Sequence, residues 1–135
     1  APQLNAAVEQ RFLRLCRHRY EEIKIDPDFQ VWVRELDSGE LRSAEHLSRG
    51  TQDQIYFSLR FGILDLVSNE AEACPCLLDE PFAAYDRLRL KEAFEILKEE
   101  AQSRQLILFT CREDLLELAR SCEATIIELA NLPGA

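Results

Sequence analysis

The chain has 135 residues, 47% of them hydrophobic and 30% charged, which is the size and composition of one globular domain with a real core and excludes a disordered segment. A formal charge of −9 excludes a surface that is basic throughout and leaves room only for a local cationic patch. No apolar run approaches the ~20 residues of a membrane span, and no signal-peptide pattern opens the chain, so no membrane partner is expected.

Five cysteines, Cys16, Cys74, Cys76, Cys111 and Cys122, lack Cys-x-x-Cys spacing. They read as reduced and buried, hence as a cytoplasmic protein. Methionine is absent even at position 1, which points to a piece of a longer polypeptide.

From Gln3 to Tyr20, Leu4, Ala7, Val8, Phe12, Leu15 and Cys16 recur at helical spacing. Arg11, Arg14, Arg17, His18 and Arg19 make its second half basic, either as a solvated face or as a contact to phosphate backbone. Ile23 and Ile25, then Phe29, Val31 and Val33, alternate with polar residues around Asp26-Pro27-Asp28, the pattern of a two-strand unit in which Trp32 packs half-buried. Glu40 to Glu45 is a polar approach to the next element.

Thr51 and Gln54 have capping-box spacing, so a long helix is expected to start at Thr51, with Ser48 and Gly50 in the turn ahead of it. Its core face is Ile55, Leu59, Ile63, Leu66 and Val67, widened by Tyr56 and Phe57. Free N–H groups at that helix end, the bare backbone of Gly50 and the Ser48 hydroxyl together make an anion site.

After the polar, acidic stop at 68–73, Cys74 to Leu78 is too short for a helix and reads as a buried strand with Asp79 and Glu80 at its carboxyl end. Asp86 opens a helix with the core stripe Leu90, Ala93, Phe94, Leu97 and Ala101. Leu106 to Thr110 is a second buried strand, Glu113 to Arg120 a short helix, and Thr125 to Leu129 a last strand. The resulting class is α/β: a mostly parallel sheet with crossover helices, plus an N-terminal helix and short antiparallel strands. In such sheets ligands sit at the carboxyl ends of strands, where Asp79, Glu80 and the Thr110-Cys111-Arg112 turn converge. Strand alternation sends Asp79 and Glu80 to different sides, one to hold a magnesium-bound water and one to face a water to be activated.

These residues resemble a known family. Leu47-Ser48-Arg49-Gly50-Thr51-Gln52 resembles the ABC signature motif, Cys76-Leu77-Leu78-Asp79-Glu80-Pro81 a Walker B strand, and Phe82-Ala83-Ala84-Tyr85-Asp86 the D-loop. Their order is the family order, over about residues 21 to 130. The interval from Ser48 to Asp79 is similar to that of the coiled-coil ATPases: structural maintenance of chromosomes (SMC) proteins, RecN, the double-strand-break repair ATPase and, most of all, the YhaN-like group.

The resemblance implies that residues 1–20 are the root of a coiled coil near where such heads grip DNA, and that 21–135 form the C-terminal lobe of an ATPase head. Ser48, Arg49, Gly50, Thr51, Gln52 and Asp86 would face ATP across a dimer of heads, Asp79 would order Mg2+ through water, and Glu80 would polarise the attacking water. Arg112 stands at the switch position, usually histidine, and can donate to a phosphate but cannot titrate. The four glycines, 39, 50, 62 and 134, form no P-loop. An N-terminal P-loop lobe of the same polypeptide is therefore an expected partner, with a second head, DNA and a nuclease as others, and the chain alone is expected to be inactive. The function that follows is ATP hydrolysis in DNA repair or chromosome maintenance. The alternatives are the nucleotide-binding subunit of a transporter and an ATP-gated dimerisation module that does not hydrolyse.

Overall fold

The computed structural model describes residues 2–17, 19–68, 72–131 and 133–134. His18 and residues 69–71 of the expected acidic stop lie outside them. Helix α1 (Pro2–Cys16) buries Leu4, Val8, Phe12, Leu15 and Cys16, one stripe at i, i+4, i+8, i+11 and i+12. It stops short of the expected Tyr20: Arg17 has φ 47, a left-handed conformation that ends the helix, and Tyr20 goes into the first strand.

Strands β1 (Tyr20–Ile25), β2 (Val31–Glu35) and β3 (Leu41–Ser43) form an antiparallel meander. The Asp26 carboxylate accepts from the N–H groups of Asp28 and Gln30, both at 2.9 Å, and closes the first turn. Trp32 stands opposite Lys24 and Ser43, with its ring N–H on Asp26 at 3.3 Å. The polar stretch read as an approach thus contains a third strand, Leu41–Ser43, whose backbone pairs with Val33 and its neighbours. On the free edge of β1, side chains of α1 take the strand's place. Asn5 donates to the Ile23 carbonyl at 3.0 Å and accepts from the Ile25 N–H at 2.9 Å, and Glu9 accepts from the Ile23 N–H at 3.2 Å.

Helix α2 (Arg49–Val67) runs between two apolar cores. Its buried residues are Thr51, Gln54, Ile55, Phe57, Ser58, Phe61 and Gly62, whereas Tyr56, Ile63, Leu66 and Val67, expected in the core, are exposed. The reason is close helix packing. A Cβ on Gly62 would stand 2.6 Å from Val8 Cγ2, so α1 approaches where α2 has no side chain, and the face around Gly62 becomes the buried one.

Strand β4 (Cys76–Asp79) lies parallel to β5 (Leu106–Phe109), in register from Cys76 against Leu106 to Asp79 against Phe109. Helix α3 (Arg87–Glu100) is the crossover between them and α4 (Asp114–Ser121) follows β5. The α/β class with a crossover helix is as expected. The last expected strand does not form: residues 125–128 are coil leading into a 3₁₀ turn at Leu129–Asn131, with Ile127 exposed and no neighbouring strand among the described residues to take its backbone groups. Nor are all the cysteines buried: all five are free, Cys74 and Cys111 are exposed, and Cys122 is half-buried. Among the described residues no helix is long and apolar enough to cross a membrane.

The larger core joins α3 to β4, α2 and α4 through Phe57, Phe61, Phe82 and Phe94, with Leu78 and Leu115. The smaller core joins α1 to the meander through Val8, Phe12, Tyr20, Ile23 and Val33. Ion pairs add to the apolar contacts between helices. Arg11 Nε donates to Glu100 at 2.8 Å while its Nη2 reaches Asp65 at 2.8 Å, and Arg104 reaches the other oxygen of Asp65 at 2.8 Å. Arg14 bonds Glu92 at 2.9 Å and Glu99 at 2.7 Å. Two of the arginines expected on a solvated or DNA-facing stripe are therefore fastenings of α1 to α2 and α3.

Removing one partner of a nearly dry ion pair strands the other, so Arg11→Ala should lower unfolding stability by about 3 kcal/mol in urea titration. Arg17→Ala, at an exposed site with no ion pair among the described residues, should stay within about 0.5 kcal/mol.

Candidate functional site

Ser48, at φ −59 and ψ 151, is the N-cap of α2. Its hydroxyl accepts from the Thr51 N–H at 3.3 Å, and its carbonyl accepts from Gln52 N–H at 2.9 Å. The expected cap at Thr51 is thus displaced by three residues, and Gly50 lies in the first turn of the helix rather than ahead of it. The competition is decided by Thr51 itself, whose side chain is 1% exposed and bonds the Ser48 hydroxyl at 2.9 Å. Gln52 likewise turns inward, donating to the Ala44 carbonyl at 2.9 Å. Thr51 and Gln52 therefore present no side chain to a ligand. Ser48 and Arg49 are exposed, and the N–H groups of Arg49 and Gly50 have no intrahelical acceptor.

Gly50 is bare for an internal reason. A Cβ there would lie 3.3 Å from the Ala84 carbonyl and 3.1 Å from an Arg89 guanidinium nitrogen, so the 81–86 loop and α3 rest directly on the first turn of α2. Asp86 ends that loop as the N-cap of α3, accepting from the Arg89 N–H at 2.8 Å.

A cleft of about 470 Å3 opens between these parts. Arg49, Asp53, Tyr56 and Arg60 line it from one face of α2, and Asp79, Glu80, Pro81 and Ala84 from the end of β4 and the loop. Asp79 makes no hydrogen bond or ion pair among the described residues, while Glu80 is tightly held. Its backbone is left-handed at φ 44, its N–H continues the ladder to the Phe109 carbonyl at 2.9 Å, and its carboxylate accepts from the Cys111 N–H and from Thr110 Oγ1 at 3.1 Å. The Thr110 hydroxyl is itself oriented by the Arg112 N–H, which donates to it at 3.1 Å. The Cys111 backbone donor, chiefly, holds the Glu80 carboxyl below its usual range, with lesser help from Thr110 and the Arg112 charge. The two carboxylates differ, since one is free and one is fastened, and both line the same cleft.

Arg112 forks onto Asp114, with Nε to Oδ1 at 3.0 Å and Nη2 to Oδ2 at 2.6 Å, and Nη1 donates to the Phe82 carbonyl at 2.8 Å. Its guanidinium ties the 110–112 turn to the 81–86 loop and is largely committed within the chain. Among the described residues no three His, Cys, Asp or Glu side chains gather as a metal cluster. Thr110 and Arg89 are the side chains whose roles the sequence concealed; the only local signal for Arg89 is its i, i+3 spacing from Asp86.

In sequence, the chain is 30% identical over 132 residues to YhaN of Bacillus subtilis (strain 168), a protein described as uncharacterised, and it spans 96% of itself but 13% of YhaN. No family model matches it. In structure, 87% of the chain superposes on an SMC ATPase solved in work on ATP-driven dimerisation and DNA-stimulated activation, with TM-score 0.70 and 16% identity, covering 73% of that chain. The Smc head of Pyrococcus furiosus, solved with an extended coiled coil and bound to the C-terminal domain of ScpA, gives 0.67 at 17% identity over 87% of this chain and 30% of that one. The SMC head of Thermotoga maritima gives 0.65 at 17% identity, over 87% and 41%.

Because Glu80 titrates below an ordinary glutamate, its contribution to stability is present above the unfolded value and is lost as pH falls through the folded one. Thr110→Val should move the Glu80 midpoint up toward the usual range in an NMR titration, and Thr110→Ser should leave it in place. The rise should be partial, since the Cys111 backbone donor remains.

Proposed function

Since the chain has the fold of an SMC-type ATPase head and is a sequence relative of YhaN, we propose that it is the C-terminal lobe of such a head, acting on ATP together with a P-loop lobe of the same polypeptide. The observation that carries the proposal is the pairing of a free Asp79 with a fastened Glu80 at the carboxyl end of β4, beside the Ser48–Gly50 end of α2. The need for a second lobe is supported by the bare face of the parallel sheet. Leu77, Ile107 and Phe109 are 59%, 37% and 42% exposed, and two strands are too few to stand alone.

In this reading Ser48 and the N–H groups of Arg49 and Gly50 cap the γ-phosphate of ATP held by a second head. Asp79, exposed and without a partner among the described residues, would hold Mg2+ as a single carboxylate acting through water, and the metal would supply positive charge to the phosphates. Both Glu80 oxygens accept from the 110–111 turn, one from Thr110 Oγ1 and one from the Cys111 N–H, which would hold the carboxylate toward the attacking water. Its lowered basicity suits orienting that water more than taking its proton. Asp86, fixed as the α3 cap, would face the partner head. Thr51, Gln52 and Arg112 act inside the lobe: the first two set the α2 terminus, and Arg112 keeps the switch turn against the 81–86 loop.

A role in DNA repair or chromosome maintenance rests on the fold relationship. Helix α1, the proposed root of a coiled coil, has Arg11 and Arg14 committed to carboxylates. The engagement of Arg112 favours a second reading, a head that dimerises on ATP without hydrolysing it.

The test is steady-state ATP hydrolysis by this chain joined to the P-loop segment of its polypeptide. Turnover is expected in the joined protein alone and should fall about 100-fold in Glu80→Gln. Ser48→Arg should bind ATP yet fail to dimerise in light scattering. ATP-dependent dimers of that variant would overturn the role across the interface, and ATP binding without turnover in the wild type would favour the second reading.

A further inference from the structure

The two cores meet at α2, and the seam between them is polar. Gln54 on α2 is fully buried, and Tyr85, in the 81–86 loop, is 6% exposed with its ring 5.1 Å from that of Phe82. Cys16, at the end of α1, donates its thiol to Gln54 Oε1 at 3.5 Å. Burial pushes the Cys16 thiol up to about 12 and raises the Tyr85 phenol, on which the Asp53 and Cys16 charges also act. The Tyr85 hydroxyl therefore stays protonated.

Among the described residues the Gln54 amide nitrogen and the Tyr85 hydroxyl have no hydrogen-bond partner. A buried polar group without a partner carries its full desolvation cost. The two are complementary, since an amide N–H donates and a phenol oxygen accepts. They also sit on the two elements that would meet ATP in a closed dimer. Gln54 is on the helix that begins with Ser48 and Gly50, and Tyr85 immediately precedes Asp86. The loop already touches α2 at Gly50 through the Ala84 carbonyl, about one helical turn before Gln54 and one residue before Tyr85.

We propose that Gln54 and Tyr85 are positioning residues for the ATPase: on closure of the nucleotide sandwich the 81–86 loop reseats on α2, and the Gln54 amide donates to the Tyr85 hydroxyl. This rests on the ATPase reading above. The bond locks Asp86 in position relative to Ser48 within one head, and the Cys16 thiol on Gln54 extends the link to α1.

The test uses the chain joined to its P-loop segment, with Tyr85→Phe, Gln54→Leu and the double variant. Without nucleotide, Tyr85→Phe should melt at or a few degrees above the wild type, because its hydroxyl has no partner there, and Gln54→Leu should melt at about the wild-type temperature, because removing the unpartnered amide nitrogen offsets removing the weak acceptor of the Cys16 thiol. With saturating ATP, turnover should fall about fivefold, the worth of one net hydrogen bond, with the half-saturating ATP concentration unchanged. The double variant should be no slower than either single one. A role in static packing would instead lower the melting temperature without nucleotide, and that result overturns the proposal. So do variants as fast as an active wild type, or single effects that multiply in the double. A wild type that neither dimerises on ATP nor hydrolyses it sinks the ATPase reading, and this inference with it.

Discussion

Two glycines decide how close the rest of the molecule can come to α2. At Gly62 the helix meets Val8 of α1 with no room for a methyl group, and at Gly50 it meets the Ala84 carbonyl and Arg89. Contacts this close leave no slack, and a close-packed interior transmits the constraint to its neighbours. Helix α1 and the meander are set against one side of α2, through Ile55 and Leu59, and the 81–86 loop, β4 and α3 against another, through Phe57 and Phe61. The ion cluster of Arg11, Asp65, Glu100 and Arg104 then holds α1, α2 and the end of α3 at fixed spacing. Burying such charges adds little net stability, but their fixed geometry rejects other packings of the three helices.

Placement of the carboxylates follows from the same packing. Glu80 can sit in a left-handed conformation because three hydrogen bonds hold it there, two to the turn after β5 and one continuing the β ladder. The turn in turn is held by Arg112 through the Phe82 carbonyl, and Phe82 is buried among Phe57, Tyr85 and Phe94. The 110–112 turn and Glu80 are thus fixed by the aromatic core beneath them, while the Asp79 carboxylate, one residue away, is exposed and without a partner among the described residues.

The parts legible in the sequence were those where local signals agree. Helix α3 has an Asp cap and an unbroken stripe, and β4 and β5 are short apolar runs too brief for helices. Tyr20 misled because it keeps the helical period of α1 while also being a good first residue for a strand. Ser48 and Thr51 are both adequate caps three residues apart, and only the burial of Thr51 chooses between them. Hydrophobicity also pointed to the wrong side of α2, since Gln54, Ser58 and Gly62 are inside while Ile63, Leu66 and Val67 are outside. A polar face can be buried where backbones come close, and no one-dimensional pattern reports that closeness. Strand β3 and the unformed strand at 125–129 failed for the opposite reasons: one is polar but has a partner, the other apolar without one. For the site, residue types named Asp79 and Glu80, but the tether from Thr110, thirty positions on, exists only in three dimensions.

The hydrogen bonds from Asn5 and Glu9 to β1 have a mechanical consequence. Through them α1 grips a sheet edge much as a further strand would, so it can neither roll about its axis nor slide along it without breaking bonds at Ile23 and Ile25. Helix α1 and the β1 edge are therefore coupled, so that a movement of α1 acts directly on the meander. The same grip closes the edge to strands from other chains, so a crowded solution of this protein has no template at β1 from which to polymerise.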